Sequence, residues 1–236
     1  MRACSVTIEK THETSWPPLE IEVNAKIVSL TDIFAEAGLR LQFEFGEGNL
    51  RTDRNGTLKG TLNRSELHAL FSSRGFSSRE SKHWRAHVLI VPRIAYREAG
   101  RVERPYGVMY DFGPYDLNGR PREGCAIAYD RVCHDPRVYL RTLAHELGHV
   151  FNLLHPCDDV PPQPMGTTLM NRTTDLGNPR RRLGRFPENV TWEFSPHDCQ
   201  WLSVGPEDYV RPGGKPFGAR PRGWQAETHH SANELV

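Results

Sequence analysis

Residues 145–155 read HELGHVFNLLH, which puts three histidines and one glutamate in a single short stretch. On a helix, His145 and His149 project from the same face one turn apart, a spacing at which two imidazoles can grip one ion. Glu146 is rotated about 100° from His145, so its carboxylate would reach a water on the ion and not the ion itself. A catalytic zinc held by neutral imidazoles needs a third protein ligand and an open fourth position, and His155 is the candidate. In an unbroken helix His155 would point about 240° away from His149. The helix must therefore break near residue 152. Asn152 suits that break, because asparagine comes next after glycine in tolerating the left-handed backbone that reverses a chain at a helix end.

The elements that must position this stretch are legible from periodicity. LEIEVNAKIVSL, residues 19–30, alternates like a half-buried strand. TDIFAEAGL then has helical spacing and stops at Gly38, and LQFEF, residues 41–45, alternates again. A strand–helix–strand unit of this kind predicts a sheet with a right-handed crossover. After the polar turn RTDRNGTLKG, residues 51–60, Asn63 and Glu66 mark a helix start. HVLIV, residues 87–91, is an apolar run of the kind found in a central strand covered on both faces. A polar stretch over 93–105 leads to the strand candidate YGVMYDFG, and GPYDLNGRPREG, residues 113–124, is turn chemistry. CAIAYDRV, residues 125–132, reads as a last strand, and Pro136 opens the site helix over about 137–153. Beyond His155 the chain is irregular and rich in proline and glycine, until Ser195, Pro196 and Asp198 announce one more helix.

HExxHxxNxxH, His145 to His155, resembles the long zinc motif of the metzincin clan of metallopeptidases, which usually has glycine at the position of Asn152. The resemblance is specific over about 137–204 and general before that. It implies a Met-turn, matched by Thr168-Leu169-Met170-Asn171 with Met170 beneath the metal; a core methionine filling a gap is the plainer reading of Met170. The astacin and serralysin branches carry a further tyrosine ligand two residues after that methionine, where this chain has Arg172. The implied architecture is α/β (α+β): an N-terminal twisted mixed sheet with backing helices and the active-site helix, then a small irregular C-terminal subdomain with the Met-turn and a terminal helix. The expected divisions are an extension over 1–18, a catalytic subdomain over 19–155, a C-terminal subdomain over 156–210 and a poorly ordered tail over 211–236.

The implied chemistry is peptide hydrolysis with one catalytic Zn2+ on His145, His149 and His155, and with Glu146 as the base that deprotonates the zinc-activated water and then protonates the leaving amine. An extended substrate needs an open sheet edge. The resemblance places that edge just before the site helix, where Gly124, Ala126 and Ala128 are small enough to admit a peptide backbone; the same residues also suit a buried strand. Arg172, Arg180, Arg181, Arg182 and Arg185 either form a solvated loop or favour anionic substrate groups. An amidase for cell-wall or other non-protein amides, such as an effector or toxin, uses the same site. A non-enzymatic module with a relic metal site is disfavoured by the presence of Glu146.

The resemblance implies a protein or peptide substrate as partner, and composition adds only exclusions. Lys+Arg 30 against Asp+Glu 29 leaves +1, a balance that gives no global field for nucleic acid or an anionic membrane. No apolar run is long enough to span a bilayer and no secretory leader is evident, so a cytoplasmic or leaderless protein is expected. The five cysteines lack CxxC spacing. A Cys157–Cys199 or Cys125–Cys133 bridge suits an exported protein, and buried free thiols are the expectation. Cys4 is expected as a mobile N-terminal thiol, with a zinc-capping thiolate as the alternative.

Overall fold

In the segment RACSVTIEK, Cys4, Val6 and Ile8 alternate with polar residues, and that period of two makes Arg2–Lys10 a strand, β1. A computed structural model describes residues 1–50, 60–72, 83–109 and 122–224. Its further elements in the first half are β2 (Glu20–Val23), β3 (Lys26–Ser29), α1 (Leu30–Glu36), β4 (Leu39–Phe45), α2 (Arg64–Ser72), β5 (Trp84–Val91), β6 (Tyr96–Glu98), β7 (Arg101–Glu103), β8 (Gly107–Met109) and β9 (Gly124–Ala128). Then follow α3 (Tyr129–Val132), α4 (Pro136–Val150), α5 (Thr173–Leu176), α6 (Pro196–Val204) and α7 (Glu207–Val210). The polar turn at 51–59 and most of the turn at 113–124 lie outside the described residues, as do Tyr110–Gly113 of the strand candidate YGVMYDFG.

The architecture is α+β. A five-stranded mixed sheet has the order β4-β1-β5-β9-β8, and a smaller, irregular C-terminal part follows. The first four strands run parallel and β8 is antiparallel to β9. Along β9, Cys125 and Ile127 join the core shared with Leu140, Leu143 and Leu147 of α4. The alternate residues Ala126 and Ala128 join Leu67, Leu70 and Phe71 of α2. Helices thus cover both faces, which is why β5 reads as an almost continuous apolar run.

Several expectations change. Residues 1–18 are not an extension, because β1 is paired on both sides and Cys4 is buried, neither mobile nor at the histidines. Residues 19–30 form a hairpin and not one strand, because Asn24 (φ 52) and Ala25 (φ 60) turn the chain between β2 and β3. The strand read over 125–132 ends at Ala128, where α3 begins. β9 is not an edge: it lies between β5 and β8, and Gly124, Ala126 and Ala128 are buried. The alanines are small because they face α2, not because a substrate passes them. Residues 211–224 of the expected tail are packed against the protein, while 225–236 lie outside the described residues. All five cysteines are free, but only Cys4 and Cys125 are buried; Cys199 is half-buried, and Cys133 and Cys157, expected as buried thiols, are exposed. Among the described residues no helix is long and apolar enough to cross a membrane.

Candidate metal centre

Asp135 starts α4 by accepting from the Arg137 N–H at 2.8 Å, and Pro136 fills the first turn, where its missing N–H costs nothing. Leu140, Leu143, Leu147 and Val150 bury one stripe on the sheet, and the histidines project from the remaining face. The helix stops at Val150. Asn152 is left-handed (φ 66), its N–H bonds the His149 carbonyl at 2.9 Å, and the Leu153 N–H bonds the Gly148 carbonyl at 3.0 Å. This pair of bonds is the Schellman pattern of helix termination. The reversal brings His155 back, and its ring centroid lies 5.2 Å from His145 and 4.7 Å from His149.

His145, His149 and His155 form a cluster that could hold a metal ion, with one ligand atom from each lying within 4.8 Å of the others. The hydrogen bonds on the far sides of the rings decide which nitrogens face inward. His145 Nδ1 lies 2.8 Å from the Leu169 carbonyl oxygen, His149 Nδ1 2.8 Å from the Leu153 carbonyl oxygen, and His155 Nδ1 2.8 Å from an Asp158 carboxylate oxygen. Carbonyls and carboxylates only accept, so each Nδ1 carries the proton, the Arg172 Nε at 3.4 Å being the longer contact on His155 Nδ1 beside Asp158 at 2.8 Å, and each neutral ring turns a lone pair inward at Nε2. The Nε2 atoms of His145 and His149 are 3.1 Å apart. Two lone pairs at that distance cannot bond each other, and burial opposes adding a proton to either ring. A cation resolves the conflict, and two ligands at the usual zinc–nitrogen length in a tetrahedron sit about 3.3 Å apart. Three neutral imidazoles suit zinc, copper, iron or nickel.

Burial sets the electrostatics. It drives His145 well below the ordinary histidine range, with the Arg141 cation adding to the effect, and it pushes His149 down to about 3. Burial also raises Glu146 to about 8, opposed by Arg141 and by a hydrogen bond from the Met109 backbone N–H. Any cation among the imidazoles would draw Glu146 back down, since an opposite charge within a few ångströms favours the carboxylate.

Two glycines are fixed by close approach. A Cβ on Gly148 would stand 2.5 Å from the Met170 sulfur, and one on Gly107 would stand 2.6 Å from Glu146 Cγ. Met170 is fully buried beneath the helix that carries the ligands. β8 runs directly beside Glu146, and among the described residues it is the last strand of the sheet. A cleft of about 550 Å³ opens along the cluster, bounded in part by Tyr106, Val108, Thr142, Thr173 and Phe217.

Sequence reading brings together His145, Glu146, His149, His155 and Met170, and the structure places all five here. Gly124, Ala126 and Ala128 do not line the cleft. Two contributors, Asp158 and Arg141, escaped the reading, and Arg172 was read only as a loop cation or a contact for anionic substrate groups. Asp158 orients His155, and Arg172 holds that carboxylate with two contacts of 2.7 Å. Arg141, one turn before His145, donates to Thr173 Oγ1 at 2.6 Å and to the Leu169 and Asn171 carbonyls. The signal for Asp158 is a carboxylate three residues after the last histidine, and for Arg141 a charged residue four before the first. No family model and no curated protein matches the chain.

Proposed function

We propose that the protein is a zinc-dependent endopeptidase. The observation that carries this reading is the convergence of three Nε2 lone pairs, each fixed by an acceptor behind its ring, next to a buried glutamate and an open cleft. The left-handed Asn152, the returned His155 and Met170 beneath Gly148 support the likeness to metzincins, with Thr168–Asn171 as the Met-turn. A zinc ion here supplies a Lewis acid that acidifies water and polarises a carbonyl.

The chain's own groups supply the rest. Glu146, held by the Met109 N–H, accepts a proton from the attacking water and delivers it to the amine nitrogen as the C–N bond breaks. β8 offers an extended substrate an antiparallel strand to pair with, and this replaces the role expected of Gly124, Ala126 and Ala128. Gly107 keeps the edge bare where Glu146 must work.

The test is metal analysis with casein cleavage by wild type and Glu146→Ala. Expected are about one zinc per chain in both, chelator-sensitive cleavage by wild type, and a loss of about a hundredfold to ten-thousandfold in the variant. Equal cleavage by the two proteins refutes the base. Hydrolysis of peptidoglycan fragments without casein cleavage moves the assignment to the amidase.

A further inference from the structure

Asn152 does more than its backbone angle requires. A left-handed turn needs only a residue that tolerates φ 66, and glycine does so at less cost. Yet the Asn152 amide is fully buried and used at both ends. Its Nδ2 donates to the Tyr209 carbonyl at 3.0 Å and the Ala219 carbonyl at 3.1 Å, and its Oδ1 accepts from the Gly218 N–H at 2.8 Å. Arg220 donates to its main-chain carbonyl at 3.1 Å. Every one of these partners belongs to the segment after α6. A second buried side chain, Arg122, fixes the start of that segment by donating to the carbonyls of Tyr209, Arg211 and Lys215.

Between these two clamps lies Phe217. Its ring meets the His149 ring edge-on, with centroids 5.4 Å apart at 88°, and it lines the cleft while staying only half-buried. A ring held on both flanks and left partly open toward a cleft is preorganised for contact with a ligand, since little side-chain freedom remains to be lost on binding.

The geometry points to Phe217 as a specificity-determining wall, and to Asn152 as the positioning residue that holds it there. The substrate class selected is peptides with an aromatic or large aliphatic side chain on the His149 side of the bond that is cut. This rests on the peptidase reading. A purely structural Phe217 would affect all substrates alike, whereas a wall changes their ratio.

The experiment profiles cleavage of a peptide library by zinc-loaded wild type, Phe217→Ala, Phe217→Tyr and Asn152→Gly, with metal content and amide hydrogen exchange measured on each. Wild type should prefer phenylalanine over alanine at one position by about tenfold, the scale at which an apolar pocket discriminates. Phe217→Ala should erase that preference at unchanged metal content, and Phe217→Tyr should keep it. Asn152→Gly preserves the turn, so it should retain the metal, lose the preference and speed exchange at the Gly218 amide. An unchanged profile in Phe217→Ala overturns the wall. An unchanged profile and unchanged Gly218 exchange in Asn152→Gly overturn the clamp. A wild type that cleaves no peptide removes the peptidase reading and the wall together, and Gly218 exchange then decides the clamp alone.

Discussion

In β5 every residue but Arg85 is buried, whereas from Cys157 to Thr168 only Asp159 is. Strand and loop belong to the same molecule but are held by different forces. The sheet is an apolar sandwich in which Val88, Ile90 and Ile127 are fully buried with the α4 leucines, and its backbone groups satisfy one another in parallel ladders. The loop from Cys157 to Thr168 buries no hydrophobic side chain, although Leu169, Met170, Phe194, Trp201 and Leu202 further on rejoin the core. The carbonyls of the chain beyond His155 are collected by a few polar side chains: the buried Arg122, Arg141 and Asn152, and the half-buried Asn189, which donates to the Leu176 and Leu183 carbonyls. The contrast shows that a site can be built by apolar packing on one side and by donor–acceptor matching on the other, with α4 common to both.

The largest expected effect separates the two modes. Arg122→Met keeps the volume but removes donors from the carbonyls of Val150, Tyr209, Arg211 and Lys215. Leaving such buried acceptors bare should cost about 4 kcal/mol, read from urea unfolding. Ile127→Ala in the sheet should cost about 3 kcal/mol, within the range for emptied core positions. If Arg122→Met proves neutral, the C-terminal part does not depend on donor matching.

Acid should probe the same boundary in metal-free protein. His149 titrates near 6.5 when unfolded but is pushed down to about 3 by burial when folded. Between those values the unfolded chain binds the extra proton, so this ring's contribution to stability is full above pH 6.5 and declines as pH falls towards 3, opposite in sign to that of Glu146, which is raised to about 8. His145, shifted in the same direction as His149, adds to the decline. Urea midpoints at pH 7 and pH 5 should differ, and by less in His149→Gln; equal differences in the two proteins would detach the pH dependence from this ring.

The smallest effect concerns local capping. Ser195 accepts from the Asp198 N–H at 3.1 Å while Asp198 accepts from the Ser195 N–H at 3.2 Å. Ser195→Ala should cost about 1 kcal/mol, with metal content unchanged.

Legibility follows the same division. The ligands, Glu146 and the break at Asn152 could be read because helix geometry fixes where residues four and six apart must point. The caps at Asn63 and Ser195 could be read because a capping box is local. β1 was present in the alternation of Cys4, Val6 and Ile8, but it is interleaved with polar residues and paired only with distant segments. The order of β8 and β9 was not legible, because Ala126 and Ala128 look the same whether a helix or a substrate covers them. Nothing in the sequence joins Asn152 to Gly218, since a hydrogen bond between remote residues leaves no periodic trace.

The interior position of β1, between β4 and β5, also ties the sheet to segments far apart in the chain. Its two neighbours arrive from residues 39–45 and 84–91, and β9 is joined to β1 only through β5. Parallel pairings between remote segments close large loops before they yield any contact, and so form slowly. The histidine helix packs on strands drawn from across the first half of the chain, so the ion's place depends on pairings far from the residues that hold it.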